Sequence, residues 1–428
     1  MSKGTQAICG KYVLINPYTY VENACVEFDA KVRGVKPYEG LRDAEKNLVI
    51  THGLASTHTH LGLYPVRSTL GYGLRLDDWV STFVWPWEKF LLSNPDVSYV
   101  VALVAIVEML SSGITLFADM HFNEEHVLDA VLRTGIKADL SVAVMSRGVS
   151  QDFNESLEAN KELVRRVRKL GLPELVRARF GPCTPRLLNP SEFAEVVSTA
   201  KREGVGVHAH LAEVPEDEEY LRREWGLSLR EFVEYVGLGD GVDTLVAHAI
   251  WVQDLTELLA ERGIKVSHAP RSNTLLRDGL APITALLDAG VNVSLGVDVA
   301  PTYSIKDDAV FMIGLHYSGG GRALNAEDVL WMASVAGYRA LGFGTGELVR
   351  GEPADIVVWE LSDILPESRV SHIVTSLVMG DAVVRRVVIN GHEVYRNCSL
   401  TNIRSRELIL YRSRLASYLE AFLTSLTS

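Results

Sequence analysis

The sequence predicts an α/β fold, a (β/α)₈ TIM barrel with a small β-sandwich domain that both chain ends form together. Three observations favour it. Eight strand-like runs rich in Val, Ile or Leu lie between residues 48 and 298, and they suit parallel strands covered on both faces. Amphipathic helical runs alternate with these strands, and a glycine follows each predicted helix. Shorter strand-like pieces lie outside this region, at both ends of the chain.

The predicted barrel strands share a high content of branched apolar residues. They are Leu48–Ser56, Ile114–Met120, Ile136–Met145, Leu175–Gly181, Val205–Ala212, Asp243–Ile250, Ile264–His268 and Val291–Asp298. The helical runs between them are Ser98–Ser112, Glu124–Thr134, Ser156–Leu170, Ser191–Glu203, Asp254–Arg262 and Ile283–Ala289. Ser191 is the predicted N-cap of its helix. A doubly wound open sheet is the alternative, but the chain has neither a Gly-x-Gly-x-x-Gly run nor a Gly-Lys-Ser/Thr loop to support it.

The flanking segments predict a second domain. Their strand-like pieces are Tyr12–Ile15, Ala24–Phe28, Ile356–Trp359, Leu377–Met379, Val383–Ile389 and Glu393–Tyr395, with a hairpin signal at Asn390-Gly391. We expect residues 1–50 and 347–400 to form the discontinuous β-sandwich domain, residues 51–346 the catalytic barrel and residues 401–428 a C-terminal helix. Apolar residues at helical spacing predict that this helix packs on the surface, and a subunit interface is the alternative.

Composition favours a soluble cytoplasmic protein. The 428 residues carry a formal net charge of −12, which argues against binding to nucleic acid phosphates. Four scattered cysteines without a Cys-x-x-Cys pair indicate neither a disulfide framework nor a thiolate zinc cluster. The N-terminus lacks a signal-peptide pattern, and the most apolar helix candidate, Tyr99–Leu110, is too short to cross a bilayer. The expected partner is a small molecule, without nucleic acid or membrane, and a homo-oligomer is left open.

Histidine and aspartate residues recur where the predicted strands end. His58 and His60 follow the first run, and His210 lies at the end of the fifth, His248 of the sixth and Asp298 of the eighth. The carboxyl ends of barrel strands meet at one face, where such barrels gather catalytic groups. Residues i and i+2 of a strand point to the same side, so His58 and His60 can bind one metal ion together. Two satisfied polar histidines at a loop mouth are the alternative.

The roles follow from the chemistry of each residue. We assign His210 to the metal and leave His208 one layer deeper, as a core histidine with a hydrogen bond. Glu213, three residues beyond His210, is placed to move a proton. Asp298 can both bind the metal and accept the proton of its water, and His248 can position the attacking group. His58, His60, His210 and Asp298 suit one Zn²⁺ per chain, with Fe²⁺ or Mn²⁺ as alternatives. A second metal would require a bridging Lys in the fourth strand, which has none.

Seven segments together resemble the amidohydrolase superfamily, in the branch of S-adenosylhomocysteine and methylthioadenosine deaminases and triazine chlorohydrolases. The resemblance covers nearly the whole chain and lies in the order and spacing of its motifs. These are Gly53–His60, Trp79 with Trp85-Pro86-Trp87-Glu88, Glu108–Thr115, His210–Glu213, Ser267–Asn273, Leu295–Asp298 and Gly351–Val357. It implies that a metal-bound hydroxide displaces ammonia or halide from a heterocycle, with Glu213, His248 and Asp298 as catalytic residues.

The resemblance also points to substrate-binding residues. Trp79 and Glu88 occupy the places of the Trp that lines the pocket and the Glu that holds the ribose hydroxyls, which favours a purine nucleoside. In the loop after the fourth strand, Cys183 replaces the family's His, and Arg186 follows it. A guanine- or cytosine-type deaminase and a triazine-type chlorohydrolase are therefore alternatives. A non-catalytic barrel that binds a ligand is a second alternative, which missing metal ligands would indicate.

Overall fold

The computed structural model describes residues 4–150, 152–319, 323–362 and 369–427. Its strands are β1 Gln6–Asn16, β2 Thr19–Phe28, β3 Val32–Pro37, β4 Leu48–His52, β5 Leu54–Thr59, β6 Ile114–His121, β7 Lys137–Val144, β8 Val176–Ala178, β9 Gly181–Pro182, β10 Val207–Leu211, β11 Thr244–His248, β12 Lys265–His268, β13 Val293–Leu295, β14 Ile356–Glu360, β15 Val383–Ile389, β16 His392–Arg396 and β17 Ser399–Leu400.

The helices are α1 Leu76–Trp79, α2 Trp85–Ser93, α3 Asp96–Ser111, α4 Glu124–Thr134, α5 Phe153–Leu170, α6 Pro190–Glu203, α7 Glu216–Trp225, α8 Leu229–Val236, α9 Thr256–Glu261, α10 Pro270–Leu275, α11 Ile283–Asp288, α12 Ile305–Gly319, α13 Ala326–Trp331, α14 Gly337–Leu341, α15 Val370–Met379 and α16 Ser405–Thr427. Short 3₁₀ turns cover Asp43–Glu45 and Gln253–Leu255, a longer 3₁₀ segment covers Leu61–Tyr72, and π-helical turns cover Val80–Val84 and Met332–Ala336.

The central strands form a closed parallel barrel. Strands β5 to β8 pair in sequence order, β9 pairs with β7, and β10 to β13 again pair in order. Parallel bridges between Phe180 and Val207 and between Thr59 and Asp298 join the two groups. The helices α4, α5 and α6 each end at a glycine with left-handed backbone, as the helix–glycine–strand pattern predicts. The predicted (β/α)₈ fold is therefore confirmed.

Both chain ends build the second layer. Eight strands form one sheet in the order β17-β16-β15-β14-β4-β1-β2-β3. An antiparallel bridge between Lys31 and Pro353 connects its two halves. Residues from both halves, among them Val26, Phe28 and Val358, share one apolar cluster. The small β-domain formed by both ends is thus present, and the boundaries at residues 50, 347 and 400 stay a prediction.

The structure corrects the predicted first strand. Leu48–Ser56 is not one strand but two, because the chain turns at Gly53 from the terminal sheet into the barrel. The Gly53 N–H donates to the Asp355 carbonyl, and a Cβ at this position would lie 1.9 Å from Thr115 Oγ1. Only glycine allows this close approach between the two layers.

Other predictions fail for local reasons. Leu175–Gly181 divides into β8 and β9, because the Asn160 side chain bonds both the Arg179 carbonyl and the Gly181 N–H. The N-cap of α6 is Asn189 rather than Ser191, since the Asn189 side chain accepts from the Glu192 N–H and Pro190 starts the helix.

Two further predictions in the terminal regions are wrong. Leu377–Met379 is the last turn of α15 and not a strand, which shows that a short apolar run does not distinguish the two. The cysteines were expected to form no disulfide, but Cys9 and Cys25 are bonded, because β1 and β2 place them directly opposite each other.

The C-terminal helix packs on the barrel as expected. Leu415 and Phe422 of α16 are buried, and the Phe422 ring lies 5.0 Å from that of Trp87. The Tyr411 ring contacts Tyr99 of α3 at 5.8 Å. Among the described residues no single helix is long and apolar enough to cross a bilayer. One sharply bent pair, Leu76–Ser93 with Asp96–Ser111, passes by length and composition alone.

A buried ion pair joins the two layers and generates a stability prediction. Lys137 of β7 pairs with Asp355, both side chains are fully buried, and Asp355 also accepts from Tyr338 and the Asn390 N–H. We expect Lys137→Met to lower the free energy of unfolding by about 3–5 kcal/mol, because it leaves an unpaired buried carboxylate. Urea unfolding measures this.

The matched control is Lys36→Met, which removes a lysine from an exposed pair with Glu27. It should change stability by less than about 1 kcal/mol. The double variant Lys137→Met/Asp355→Asn should regain part of the loss. Equal effects of the two single lysine variants would contradict the role given to the buried pair.

Candidate metal and catalytic site

The histidines of the first barrel strand face one point at the carboxyl end of the barrel. His58 Nδ1 lies 2.9 Å from His208 Nε2, and His60 Nδ1 lies 2.6 Å from the Met120 carbonyl, to which it can only donate. These contacts leave both Nε2 atoms directed to the same place. Burial lowers the pKa of His58 to about 4, so its imidazole is neutral, as a metal ligand must be.

His210 and Asp298 approach the same point from other strands. His210 Nδ1 donates to the Cys183 carbonyl at 2.8 Å, and its Nε2 lies 3.1 Å from His60 Nε2. Asp298 Oδ1 lies 3.3 Å from His58 Nε2 and 3.4 Å from His60 Nε2. Burial and the neighbouring histidines hold the pKa of His210 well below its usual range. The structure thus brings together all four residues predicted to bind the metal.

The cluster fits a metal ion on its own geometry. Two sets of donor atoms, His58 with His210 and His248, and His58 with His60 and Asp298, each lie within 4.8 Å of one another. His58 Nε2 and His248 Nε2 are buried without a hydrogen-bond partner, which is costly unless a cation or ligand occupies the space between them. Imidazole nitrogens with one carboxylate oxygen are a donor set that zinc prefers.

His208 supports the cluster from below. Its ring is fully buried, and burial together with His58 and His210 holds its pKa well below the usual range. A neutral His208 can accept the proton of His58 Nδ1, which directs the lone pair of His58 Nε2 toward the cluster. His208 therefore has the deeper, hydrogen-bonding position predicted for it. His268 is also buried but belongs to neither donor set.

The three predicted catalytic residues, Glu213, His248 and Asp298, lie close together. Glu213 Oε1 is 3.5 Å from His248 Nε2. Burial raises the pKa of Glu213 to about 7, with Asp298 adding to this and His248 opposing it. Burial alone would lower the pKa of His248, but the carboxylates of Glu213 and Asp298 raise it. Burial also opposes ionisation of Asp298, yet His58 and His248 hold its pKa well below the usual range.

The backbone around these residues is strained. Ala212, His248, Ala249 and Asp298 have positive φ, between 47° and 70°, in the left-handed region that residues other than glycine seldom occupy. Each lies at or just beyond the end of a barrel strand, where the chain turns sharply toward the next loop. Such strain is typical of functional sites, and here it aims His248 and Asp298 at the cluster.

Two supporting residues were missed in the sequence. Asp217 Oδ2 accepts the Glu213 N–H at 2.8 Å, and its Oδ1 lies 2.8 Å from Arg186 Nε. Asn273 Oδ1 lies 2.8 Å from His248 Nδ1 and fixes that ring. Asn273 lies within the motif Ser267–Asn273, which could have revealed it, whereas nothing in the acidic stretch around Asp217 distinguishes it from its neighbours.

A cavity of about 540 Å³ opens above the cluster. Trp79, Glu88, Cys183 and Arg186, the predicted substrate-binding residues, all line it together with Glu213. Burial raises the pKa of the Cys183 thiol, so this side chain is neutral. Arg186 already pairs with two carboxylates, with Asp77 of α1 at 2.7 Å and with Asp217 at 2.8 Å. Carboxylates of the protein therefore balance the charge of Arg186, and its side chain contributes mainly to the shape of the cavity wall.

Comparison with known proteins identifies the family. A model of the amidohydrolase family matches residues 49–394. The chain belongs to the amidohydrolase family. This confirms the resemblance stated from the motifs and places the barrel, the metal-binding cluster and part of the β-domain within the matched region.

Curated relatives of this amidohydrolase carry deaminase names. A 5′-deoxyadenosine deaminase of Methanothermobacter thermautotrophicus is 33% identical over 312 residues, 72% of each chain. A 5-methylthioadenosine/S-adenosylhomocysteine deaminase of Dictyoglomus thermophilum is 31% identical over 378 residues, 86% of each chain.

Solved structures share the fold. An adenosine deaminase from Xanthomonas campestris with bound zinc has a TM-score of 0.86 at 22% identity and covers 98% of each chain. An atrazine chlorohydrolase from Arthrobacter aurescens TC1, complexed with zinc, has a TM-score of 0.83 at 22% identity, covering 96% of this chain and 99% of its own.

The contact between His208 and His58 generates a metal-binding prediction. We expect His208→Phe to weaken binding of Zn²⁺ by about 10- to 100-fold, because His58 loses the acceptor that orients it. Competition with a chromophoric chelator measures the affinity. His392→Gln, at an exposed position in β16, should leave it unchanged. A folded His208→Phe variant with the zinc affinity of the unaltered protein would refute the supporting role.

Proposed function

We propose that this amidohydrolase is a zinc-dependent aminohydrolase that releases ammonia from a purine nucleoside or a related N-heterocycle. The observation that carries the proposal is the position of the Glu213 carboxyl, which lines the cavity beside His248 and the metal-binding cluster. A proton donor next to such a cluster suits hydrolysis of a C–N bond in a cyclic amidine. The deaminase names of the curated relatives support the same reaction.

The proposed metal ligands are His58, His60, His210 and Asp298, which hold one zinc ion per chain. Fe²⁺ and Mn²⁺ are the alternatives. Zinc bound in the structurally similar adenosine deaminase and chlorohydrolase supports the first choice. When bound, zinc supplies a water molecule with a pKa near neutrality.

The protein's own residues account for the proton transfers. Glu213, with a pKa of about 7, holds a proton near neutral pH and donates it to the ring nitrogen beside the carbon under attack. Asp298 accepts a proton from the attacking water and passes it to the departing amino group. His248, fixed by Asn273, donates a hydrogen bond that orients the attacking oxygen. As the carbonyl forms, the second proton of the water returns to Glu213, and the amino group leaves as ammonia.

The cavity wall selects the substrate. We propose that Glu88 accepts hydrogen bonds from the ribose hydroxyls and that Trp79 lies against the substrate's apolar surface. The Trp79 indole is held by a hydrogen bond to Thr69 Oγ1 at 2.7 Å, so its position is defined. The neutral thiol of Cys183 and the paired Arg186 complete the wall.

A substrate panel tests the proposal. We expect ammonia release from 5′-deoxyadenosine, methylthioadenosine, S-adenosylhomocysteine or adenosine, and less or none from guanine and cytosine. A coupled assay with glutamate dehydrogenase measures ammonia, and chloride release from atrazine is measured in parallel. Activity confined to guanine, cytosine or atrazine would replace the proposed function by one of its alternatives. Absence of all activity in zinc-loaded protein would favour the non-catalytic barrel.

Replacement of the proton donor tests the mechanism. We expect Glu213→Gln to lower kcat by about 10²- to 10⁴-fold, because the amide cannot protonate the ring nitrogen. Zinc content should remain that of the unaltered protein. Glu218→Gln, which removes an exposed carboxylate paired with Arg222, serves as the control and should leave kcat unchanged. A Glu213→Gln variant that keeps full activity would show that another group moves the proton.

Further proposals concern the binding partner and the cellular location. We propose a small heterocyclic substrate as the partner and the cytoplasm as the location. The absence of nucleic acid and membrane partners, and assembly into a homo-oligomer, stay predictions.

A further inference from the structure

A buried histidine lies behind the proposed sugar-binding residue. His121 ends β6, its Nε2 is 3.3 Å from Glu88 Oε1, and its side chain is 2% exposed. Glu88 lines the cavity, whereas His121 does not. His121 therefore acts on a ligand in this cavity indirectly, and Glu88 is the lining residue whose side chain it pairs with. The ring of His60, which also lines the cavity, lies 6.3 Å away.

The His121 ring has little freedom to turn. A Cβ on Gly62 would lie 2.3 Å from His121 Nδ1, so the backbone of Gly62 packs directly against the ring. The Gly62 carbonyl is itself held by Trp87 Nε1, which donates to it at 2.7 Å. The ring of Phe122 meets the His121 ring edge-on at 5.4 Å. Because close neighbours enclose it, His121 presents Nε2 to Glu88 in one orientation.

Glu88 depends on this contact. Its side chain is 11% exposed, and a buried carboxylate is costly unless a partner stabilises it. Within the described part of the chain, His121 is its one ion-pair partner, and no hydrogen bond from the protein occupies the other carboxylate oxygen. That oxygen remains free to accept hydrogen bonds from a ligand in the cavity.

We infer that His121 is a positioning residue that sets the orientation of Glu88 and thereby determines selectivity for substrates with vicinal hydroxyl groups. This inference rests on the proposed function, in which Glu88 contacts the ribose. Loss of the His121 contact leaves the Glu88 carboxylate unpaired, and it then turns away from the diol. Among the described residues no hydrogen bond or ion pair joins His121 to Glu213 or to the metal-binding cluster, and its ring lies 6.3 Å from that of His60. We therefore expect binding of the diol to change while the chemical step does not.

The test compares two variants on two substrates. His121→Phe removes Nε2, the atom that lies 3.3 Å from the Glu88 carboxylate, and His121→Gln keeps a polar group at this position. We expect His121→Phe to raise KM for the ribonucleoside by about tenfold or more, since the largely buried Glu88 carboxylate is left without its partner. The kcat for this substrate and both constants for its 2′,3′-dideoxy analogue should change by less than about threefold. His121→Gln should restore most of the KM effect.

Two controls separate positioning from general damage. His126→Gln, on α4 and outside the cavity, should alter neither substrate's kinetics. In a Glu88→Gln background, His121→Phe should raise KM little further, because it acts only through Glu88. Equal effects on both substrates, full additivity with Glu88→Gln, or no effect of His121→Phe would overturn the inference. Failure of the unaltered enzyme on both nucleosides would instead overturn the proposed function, and the inference with it.

Discussion

The site depends on one contact, the closure of the barrel between its first and last strands. The Asp298 N–H donates to the His58 carbonyl at 2.9 Å, and Thr57 Oγ1 donates to the Leu295 carbonyl at 3.0 Å. These bonds join segments about 240 residues apart in the chain and bring Asp298 beside His58 and His60. Without closure the donor atoms would belong to opposite edges of an open sheet, and no metal-binding cluster would exist.

A second layer of polar contacts keeps the closed site in register. Thr57 Oγ1 also contacts Ser267 Oγ at 2.6 Å and Ser294 Oγ at 2.8 Å, so three strands share one hydroxyl network under the cluster. A Cβ on Gly296 would lie 2.9 Å from the His58 Cβ, which shows how closely β13 approaches β5. Each proposed ligand also has its second ring nitrogen or its backbone engaged, His58 by His208, His60 by the Met120 carbonyl, His210 by the Cys183 carbonyl and Asp298 by the His58 carbonyl. A ligand fixed in this way loses little freedom when it binds a metal ion.

The sequence predicted the parts of this arrangement that repeat. Parallel strands are apolar throughout, and their carboxyl ends share one face, so His58, His210 and Asp298 could be placed together from pattern alone. Contacts between distant segments have no such periodic signal. The turn at Gly53, the pairing of Cys9 with Cys25, and the roles of supporting residues depend on which strands become neighbours. That information lies in the packing of the whole chain.

The residues of the cavity wall were also only partly predictable from the sequence, for a different reason. Glu88 could be located by its motif, but its environment could not, because His121 contacts it from β6 and Gly62 packs against His121 from another segment. The metal-binding cluster consists of a fixed set of donor groups at strand ends, so a few residues of the sequence are enough to predict it. Selectivity depends on how side chains from loops and helices support one another, and a carboxylate is selective only when something holds it still. Glu88 is held by His121 at the end of β6. The guanidinium of Arg186, a second charged group of the cavity wall, is held by its ion pair with Asp217. The two sides of the cavity are therefore fixed by different means, and we expect substitutions behind the wall to change substrate selectivity without changing the reaction.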